Sequence, residues 1–240
     1  MRLALGRGRG EVPDVTDAYR QALAVVEIIE SAESASVPLE RHRHAVASMA
    51  ALSRCRSLLL GVVELDKAGR GDLLGVLLRA LLEAWYFGVI ALLGDESDLD
   101  RLEADHRYWK NALATAMPGV NADPGPSATF SVRQRAERAD QLLTDIGEPR
   151  GIAIEWYQTM YAAESLTSTH AGFESLRPYL FEDVQGNLCI VHEPATDEGV
   201  RYGRVRTAAV LTALLAKWTW ARVGLNANPF DEIVGLSDAS

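Results

Sequence analysis

Cysteine and lysine are scarce in this sequence, and acidic residues outnumber basic ones. Cys55 and Cys189 are its two cysteines, too few for the disulfide framework that stabilises small secreted domains. Lysine occurs only at Lys67, Lys110 and Lys217, so arginine supplies the rest of the 24 basic residues. The net charge of −9 excludes nucleic-acid binding by the whole surface, because that affinity comes from neutralised phosphates. We expect a cytoplasmic protein that does not coat DNA.

The remaining composition is that of one globular domain. Hydrophobic residues make up 48% of the 240 residues and charged residues 24%, which excludes wholesale disorder. A chain of this length buries roughly 70–75% of its unfolded surface when it forms one core. We predict a flexible tail at 1–10, a single helical bundle domain at 11–224 and a C-terminal tail at 225–240.

Helical periodicity predicts an all-α bundle of six to seven helices. The predicted helices begin near residues 14, 38, 72, 97, 131, 152 and 202. One stretch differs, because two short apolar runs flank Gln185 and Gly186, and glycine accepts the positive φ of a tight turn. We therefore predict a small β-hairpin insertion near residues 179–191.

The segment Leu73–Leu93 is apolar on all sides and long enough to cross a bilayer. Arg79 and Glu83 near its middle would each cost roughly 2.5–3.5 kcal/mol at the centre of an inserted helix. We find no second segment of this kind. The pattern predicts the central helix of a soluble bundle, with no membrane partner.

Arg79 and Glu83 are the first candidate site residues. They stand four positions apart, so they share one face of the central helix. A buried charged pair is costly unless its hydrogen bonds are satisfied. The pair either fixes the register of the helix or belongs to a polar site, which helical bundles build from inward side chains on facing helices.

The sixth predicted helix carries a polar stripe that runs towards His170. Its members at helical spacing are Tyr157, Tyr161, Glu164, Ser165 and Ser168. Most polar stripes are simply solvated, but two tyrosines are unusual in open solvent. His170 follows where the helix should end, either as a cap with a raised pKa or as a site residue.

Three arginines begin the last predicted helix: Arg201, Arg204 and Arg206. Together with free backbone N–H groups they could hold an anion, although solvated surface arginines are the common alternative.

Glu103 and His106 have the Glu-x-x-His spacing of a carboxylate-bridged metal site. A carboxylate-bridged metal site needs two copies of the Glu-x-x-His motif, and the sequence has one. Arg101 and His106 also match the Arg-x4–6-His spacing of a ribonuclease motif, but chance alone produces such a match in a chain rich in arginine.

Two runs resemble a group of uncharacterised bacterial all-helical proteins, a domain of unknown function related to HEPN-like bundles. The run Leu77–Trp85 resembles its Arg-x-x-x-Glu central helix, and Ser168–Gly172 resembles its Ser-x-His turn. The likeness covers roughly residues 72–223. It implies that Arg79, Glu83 and His170 converge in the bundle.

The resemblance implies an effector acting on RNA or a nucleotide, in defence or stress response, with a metal-independent ribonuclease-like or nucleotide-modifying activity and no cofactor. His170 is then the acid/base, Arg79 stabilises a phosphoryl charge and Glu83 orients either of them. The expected ligand-binding residues are Tyr161, Tyr157, Glu164, Ser168 and Arg204.

Two alternatives stay open. The first is a non-catalytic helical binding or regulatory module, homodimeric, in which the same cluster is structural. The second is a metal-dependent bundle enzyme that uses Glu103 and His106.

Overall fold

The structure, a computed structural model, describes residues 14–33, 43–117, 119, 121–123, 125, 128–165, 179–190 and 196–234. These residues form eight helices. In chain order they are α1 (Val15–Glu33), α2 (Arg43–Lys67), α3 (Leu74–Leu93), α4 (Glu96–Ala116), α5 (Val132–Asp145), α6 (Ile152–Trp156, continued by a π turn at Tyr157–Tyr161 and by Ala162–Glu164), α7 (Glu198–Arg222) and α8 (Pro229–Val234). A short 3-10 turn, Gly71–Leu73, leads into α3.

The all-α prediction is confirmed for the described residues, which form eight helices where six or seven were expected. Two strands of three residues each, β1 (Leu180–Glu182) and β2 (Leu188–Ile190), pair antiparallel between α6 and α7. Gly186 takes a φ of 83° in the turn between them, a conformation that glycine adopts without steric cost. A pair this short forms no β layer, so the architecture is that of a helical bundle.

The core is built around α3, which packs against α2, α5 and α7. Its fully buried side chains are Leu74, Leu78, Leu81, Leu82, Trp85, Tyr86, Val89 and Ile90. A helix whose residues are apolar on nearly all sides lacks a polar face for contact with water, so it packs inside the bundle.

An aromatic cluster joins α3 to α6 and α7. The ring of Trp85 lies edge-on to Trp156 of α6, with centroids 5.1 Å apart. Trp218 of α7 lies 6.0 Å from Trp85 on another side. Edge-to-face aromatic pairs add about 0.5–1.5 kcal/mol beyond the area that they bury, so this cluster fixes α6 and α7 against the central helix.

Gly88 allows the close approach of α3 to its neighbours. A Cβ atom there would lie 2.7 Å from the Leu215 side chain and 3.0 Å from Ala51 Cβ. Carbon atoms pack at about 3.5–4.0 Å, so any larger residue would push α7 and α2 away.

The helix starts follow local capping chemistry. Ser131 caps α5 as its sequence predicts, in a capping box with Gln134. Helix α4 begins at Glu96, close to the expected start near 97. Asp95 caps it: the Asp95 carboxylate accepts from the Asp98 N–H, and the Asp98 carboxylate accepts from the Asp95 N–H. Helix α7 begins four residues before the expected Tyr202, since Asp197 caps it.

The chain after residue 224 corrects the predicted C-terminal tail. Helix α8 lies there, and its Phe230 is fully buried. The rings of Phe230 and Trp220 pack edge-to-face with centroids 4.9 Å apart. One buried aromatic ring attaches this short segment to α7, although its sequence lacks a helical repeat. The predicted tail at 1–10 lies outside the described residues.

Two described helical segments are long and apolar enough to cross a membrane by length and composition: Arg43–Lys67 and Gly71–Leu93. Sequence reasoning found the second and missed the first, which carries Arg54 and Arg56 near its middle. Core helices of a bundle pass the same test, so the finding has little weight.

Candidate functional site

Tyr161 of α6 meets Arg79 and Glu83 of α3 in one polar cluster. Arg79 Nη2 donates to the Tyr161 hydroxyl over 2.8 Å, and that hydroxyl donates to Glu83 Oε1 over 2.9 Å. Arg79 Nε lies 3.4 Å from the same Glu83 oxygen. The structure therefore brings together three residues that the sequence singled out, from helices about 80 positions apart in the chain.

A π turn in α6 places Tyr161 there. The Ala162 N–H donates to the carbonyl of Tyr157, five residues back, where an α-helix would use the fourth. In a regular α-helix, residues five apart point about 140° away from each other. The wider turn brings Trp156 and Tyr161 to the same side, where Trp156 packs on Trp85 and Tyr161 bonds to Arg79.

The cluster lies at the edge of the core and remains accessible to solvent. The side chains of Arg79 and Glu83 are 26% and 37% exposed, whereas Tyr161 is buried. Burial raises the pKa of Tyr161, and so does the hydrogen bond to Glu83. The hydrogen bond from Arg79 acts in the opposite direction but does not cancel them. Its hydroxyl therefore keeps its proton at neutral pH and serves as the donor to Glu83.

One polar atom of the cluster is left without a hydrogen bond. Arg79 Nε is buried and has no hydrogen-bond partner among the described residues, although Glu83 is near. Buried donors are nearly always satisfied in proteins, and among the described residues Arg56 Nε and Arg135 Nε lack a hydrogen bond in the same way.

One aromatic ring lies beside the Arg79 guanidinium, and a second ring stacks on the first. Its central carbon lies 4.9 Å from the centroid of the Tyr161 ring. Tyr157 stacks on Tyr161, with centroids 5.4 Å apart and planes inclined by 17°. A guanidinium beside stacked rings is an arrangement that accepts a planar, negatively charged molecule, through cation–π and stacking contacts.

Glu164 and Arg204, both expected as ligand-binding residues, lie against each other. Arg204 Nε and Nη2 each donate to the Glu164 carboxylate over 2.7 Å, and Arg204 Nη1 donates to the carbonyl of Gly71 over 3.1 Å. The Arg204 side chain is 11% exposed and the Glu164 side chain 8%. The hydrogen bonds between Arg204, Glu164 and the Gly71 carbonyl therefore connect α6, α7 and the turn before α3.

A neighbouring polar cluster was missed by sequence reasoning. Asp66, whose side chain is fully buried, accepts from Arg201 Nε over 2.7 Å and from the Tyr19 hydroxyl. Burial, with the hydrogen bond to Asp66, raises the pKa of Tyr19 to about 12. Asp66 stands between Glu64 and Lys67 at the charged end of α2, so nothing in the sequence signals that this carboxylate is buried.

The Arg101 and Glu103/His106 motifs of α4 are separate from this site. Arg101 stacks its guanidinium 3.9 Å over the Phe130 ring, and Glu103 binds Arg43 over 2.7 Å. Among the residues that the structure describes, no three His, Cys, Asp or Glu side chains gather as metal ligands would.

Ser168 and His170 lie outside the described residues. Their expected convergence with Arg79 and Glu83 stays a prediction.

Comparisons with family models, curated proteins and solved structures found no match to the chain.

Proposed function

We propose that this protein is a HEPN-like effector that acts on RNA or a nucleotide through a local site at Arg79. The observation that carries the proposal is the meeting of Arg79, Glu83 and Tyr161 at a solvent-reaching edge of the core. The unsatisfied Arg79 Nε supports it. The charge of −9 restricts any nucleic-acid contact to such a local site.

Each residue has a role in this proposal. Arg79 binds a phosphoryl oxygen, because a guanidinium matches that geometry in a bidentate way. Glu83 and the Tyr161 hydroxyl orient Arg79, and Tyr157 offers its ring to a base. His170 moves the proton, as the family resemblance implies.

A second candidate is a non-catalytic helical binding or regulatory module. The bonds among Arg79, Tyr161 and Glu83 favour it, because a cluster that satisfies most of its own donors can hold α3 and α6 in register without a ligand. The Glu164–Arg204 pair, about one turn further along α6, supports the same interpretation.

We also propose a cytoplasmic homodimer with a small β-hairpin insertion near residues 179–191 and no membrane partner. Exposed Trp109 and Leu113 lie four residues apart on α4, and exposed Met117 follows directly after the helix, which supports a helix-to-helix contact. Light scattering on the purified protein tests the dimer.

Binding of a labelled single-stranded RNA 15-mer and of AMP, followed by fluorescence anisotropy and by calorimetry, tests the site. We expect Arg79→Gln to weaken binding by about tenfold or more, the value of a hydrogen bond to a charged group. Arg133→Gln is the matched control, because Arg133 also pairs with a glutamate four residues on, at the exposed surface. His170→Ala should remove RNA cleavage while RNA binding persists.

Equal binding by the Arg79→Gln and Arg133→Gln proteins would exclude the site. If neither probe binds the wild-type protein and Arg79→Gln only lowers its stability, the structural module is the better account.

A further inference from the structure

The second half of α4 carries an exposed tryptophan. All residues of α4 are described, and the last buried one is Asp105. The helix continues to Ala116, and Trp109 in this half is 61% exposed. A helix in a protein gains most of its stability by packing an apolar face, so the side of α4 that carries Trp109 is the side on which a partner would stabilise it.

The loop after α4 makes its contacts on a different side of the helix. Asn111 Nδ2 donates to the Asp123 carbonyl over 3.2 Å, and the Asp123 N–H donates to Asn111 Oδ1 over 2.6 Å. Asn111 stands two positions after Trp109, which is about 200° around the helix. Among the described residues, these loop contacts therefore leave the Trp109 side open.

An apolar pocket of about 570 Å³ opens earlier along the same side of α4. Helices α2, α3 and α4 enclose it, and its lining residues are Arg43, Val46, Ala47, Ala50, Phe87, Leu99, Leu102, Glu103 and His106. Trp109 follows Leu102 by seven residues, which is about two helical turns. One side of α4 therefore carries a pocket at Leu102 and a projecting indole ring at Trp109.

A two-fold axis would match these two features with each other. In a two-fold contact the same surface serves both copies, so each copy gives and receives the same insertion. An antiparallel pair of α4 helices places Trp109 of each copy over the pocket at Leu102 of the other, with the axis beside His106. A parallel pair would place the two tryptophans against each other and leave both pockets open.

Charge favours the antiparallel arrangement. Glu103 and Lys110 lie seven residues apart, so antiparallel pairing sets each glutamate near the lysine of the other copy, whereas parallel pairing opposes like charges. Within one copy, Glu103 contacts Arg43 at 2.7 Å and Arg107 at 3.9 Å, and Lys110 lies 3.5 Å from Asp123. All five side chains are partly exposed, and exposed ion pairs are weak enough to leave these groups available to a second copy.

We propose that two copies of this chain pair antiparallel through α4, with Trp109 of each copy in the pocket of the other. This inference rests on the homodimer proposed above and assigns its contact surface. Tryptophan is the residue type most enriched at the centre of protein interfaces, where it fills an apolar pocket on the partner. Val46, 51% exposed at the rim of the pocket, would be covered by the same contact.

Sedimentation equilibrium of the purified protein measures the dissociation constant of the dimer. We expect Trp109→Ala to raise this constant by about thirtyfold for each of the two tryptophans, the usual effect of removing a central aromatic contact. Ile146→Ala is the matched control, because Ile146 is 50% exposed at the C-cap of α5, and it should leave the dissociation constant unchanged.

A cysteine cross-link tests the orientation of the two helices. The Cys189→Ser protein is the background, because its remaining Cys55 is buried. In it, His106→Cys lies beside the two-fold axis and should form a disulfide with the second copy under mild oxidation. Met117→Cys should stay monomeric on a denaturing gel, because antiparallel pairing puts its two copies about 30 Å apart.

The outcomes separate this interface from the rest of the proposed function. A monomeric wild-type protein would overturn both the interface and the homodimer. A dimer that persists unchanged in a folded Trp109→Ala protein would overturn the interface alone, and so would cross-linking of Met117→Cys as complete as that of His106→Cys. Circular dichroism checks that each variant is folded, and RNA binding at Arg79 is measured independently of all these results.

Discussion

Arg204 and Glu164 form a bidentate ion pair, with both guanidinium donors 2.7 Å from carboxylate oxygens. The pair is almost fully buried and connects α7 to α6. Two charges in this setting are stable only together, because either one alone would keep its full desolvation cost.

Glu164→Gln should therefore lower the free energy of unfolding by about 3 kcal/mol, since it removes the negative charge from a buried ion pair. Urea unfolding measures the change. Asp17→Asn is the control, because Asp17 and Arg20 form an exposed pair and such pairs contribute about 1 kcal/mol or less. Equal losses of unfolding free energy in the two variants would show that the buried pair contributes no more to stability than the exposed pair does.

Phe230→Ala should destabilise the protein by about 3–5 kcal/mol, the usual cost of removing a buried aromatic ring. Leu113→Ala on α4 is the comparison, because Leu113 is 46% exposed and its loss leaves no cavity. Thermal and urea unfolding measure the loss of stability in both variants. A loss at Phe230 as small as that at Leu113 would mean that α8 does not pack on the bundle in solution.

Stability at acid pH should depend on Asp95. Hydrogen bonds from the Ser97 hydroxyl and then from the Asp98 N–H lower the pKa of Asp95 below its ordinary 3.8. A carboxyl group with a lowered folded-state pKa stabilises the fold above its unfolded pKa, and this contribution is lost as the pH falls through the folded value.

Asp95→Asn separates this charge from the cap, because asparagine caps a helix as well as aspartate does. Urea unfolding between about pH 5 and pH 2 should show a steeper fall in stability for the wild-type protein than for the variant. Identical slopes would rule out a contribution from the Asp95 charge.

The two thiols should differ in reactivity. Burial raises the pKa of the Cys55 thiol to about 12, and the thiolate is the reactive form. Cys189 is partly exposed. We expect Ellman's reagent to titrate one thiol in the native protein and both in guanidinium chloride. Cys189→Ser should remove the native reaction, and persistent labelling of that variant would show that the core opens at Cys55.

Periodicity was sufficient to predict the α3 part of the candidate site. Arg79 and Glu83 share a face because four residues make about one helical turn, and the apolar length of α3 predicts its central place. Tyr161 stood on the predicted stripe, and the structure brings it to those two residues.

Other contacts depend on tertiary partners that local pattern does not show. Asp66 is not distinguished in the sequence from its exposed neighbour Glu64, and only the fold reveals Tyr19 and Arg201 beside it. Glu164 shared the stripe with Tyr161 but binds Arg204 on α7. Phe230 is one aromatic residue after a proline, with no repeat to mark its burial.

The π turn at Tyr157–Tyr161 makes the length of α6 as important as its composition. Each residue added to or removed from a helix rotates everything beyond it by about 100°. Deleting one residue between Trp156 and Tyr161 would leave the two four apart, and regular winding would then keep both on the side that faces α3. Inserting one would put them six apart, about 240° of regular winding, so this segment should tolerate a deletion far better than an insertion.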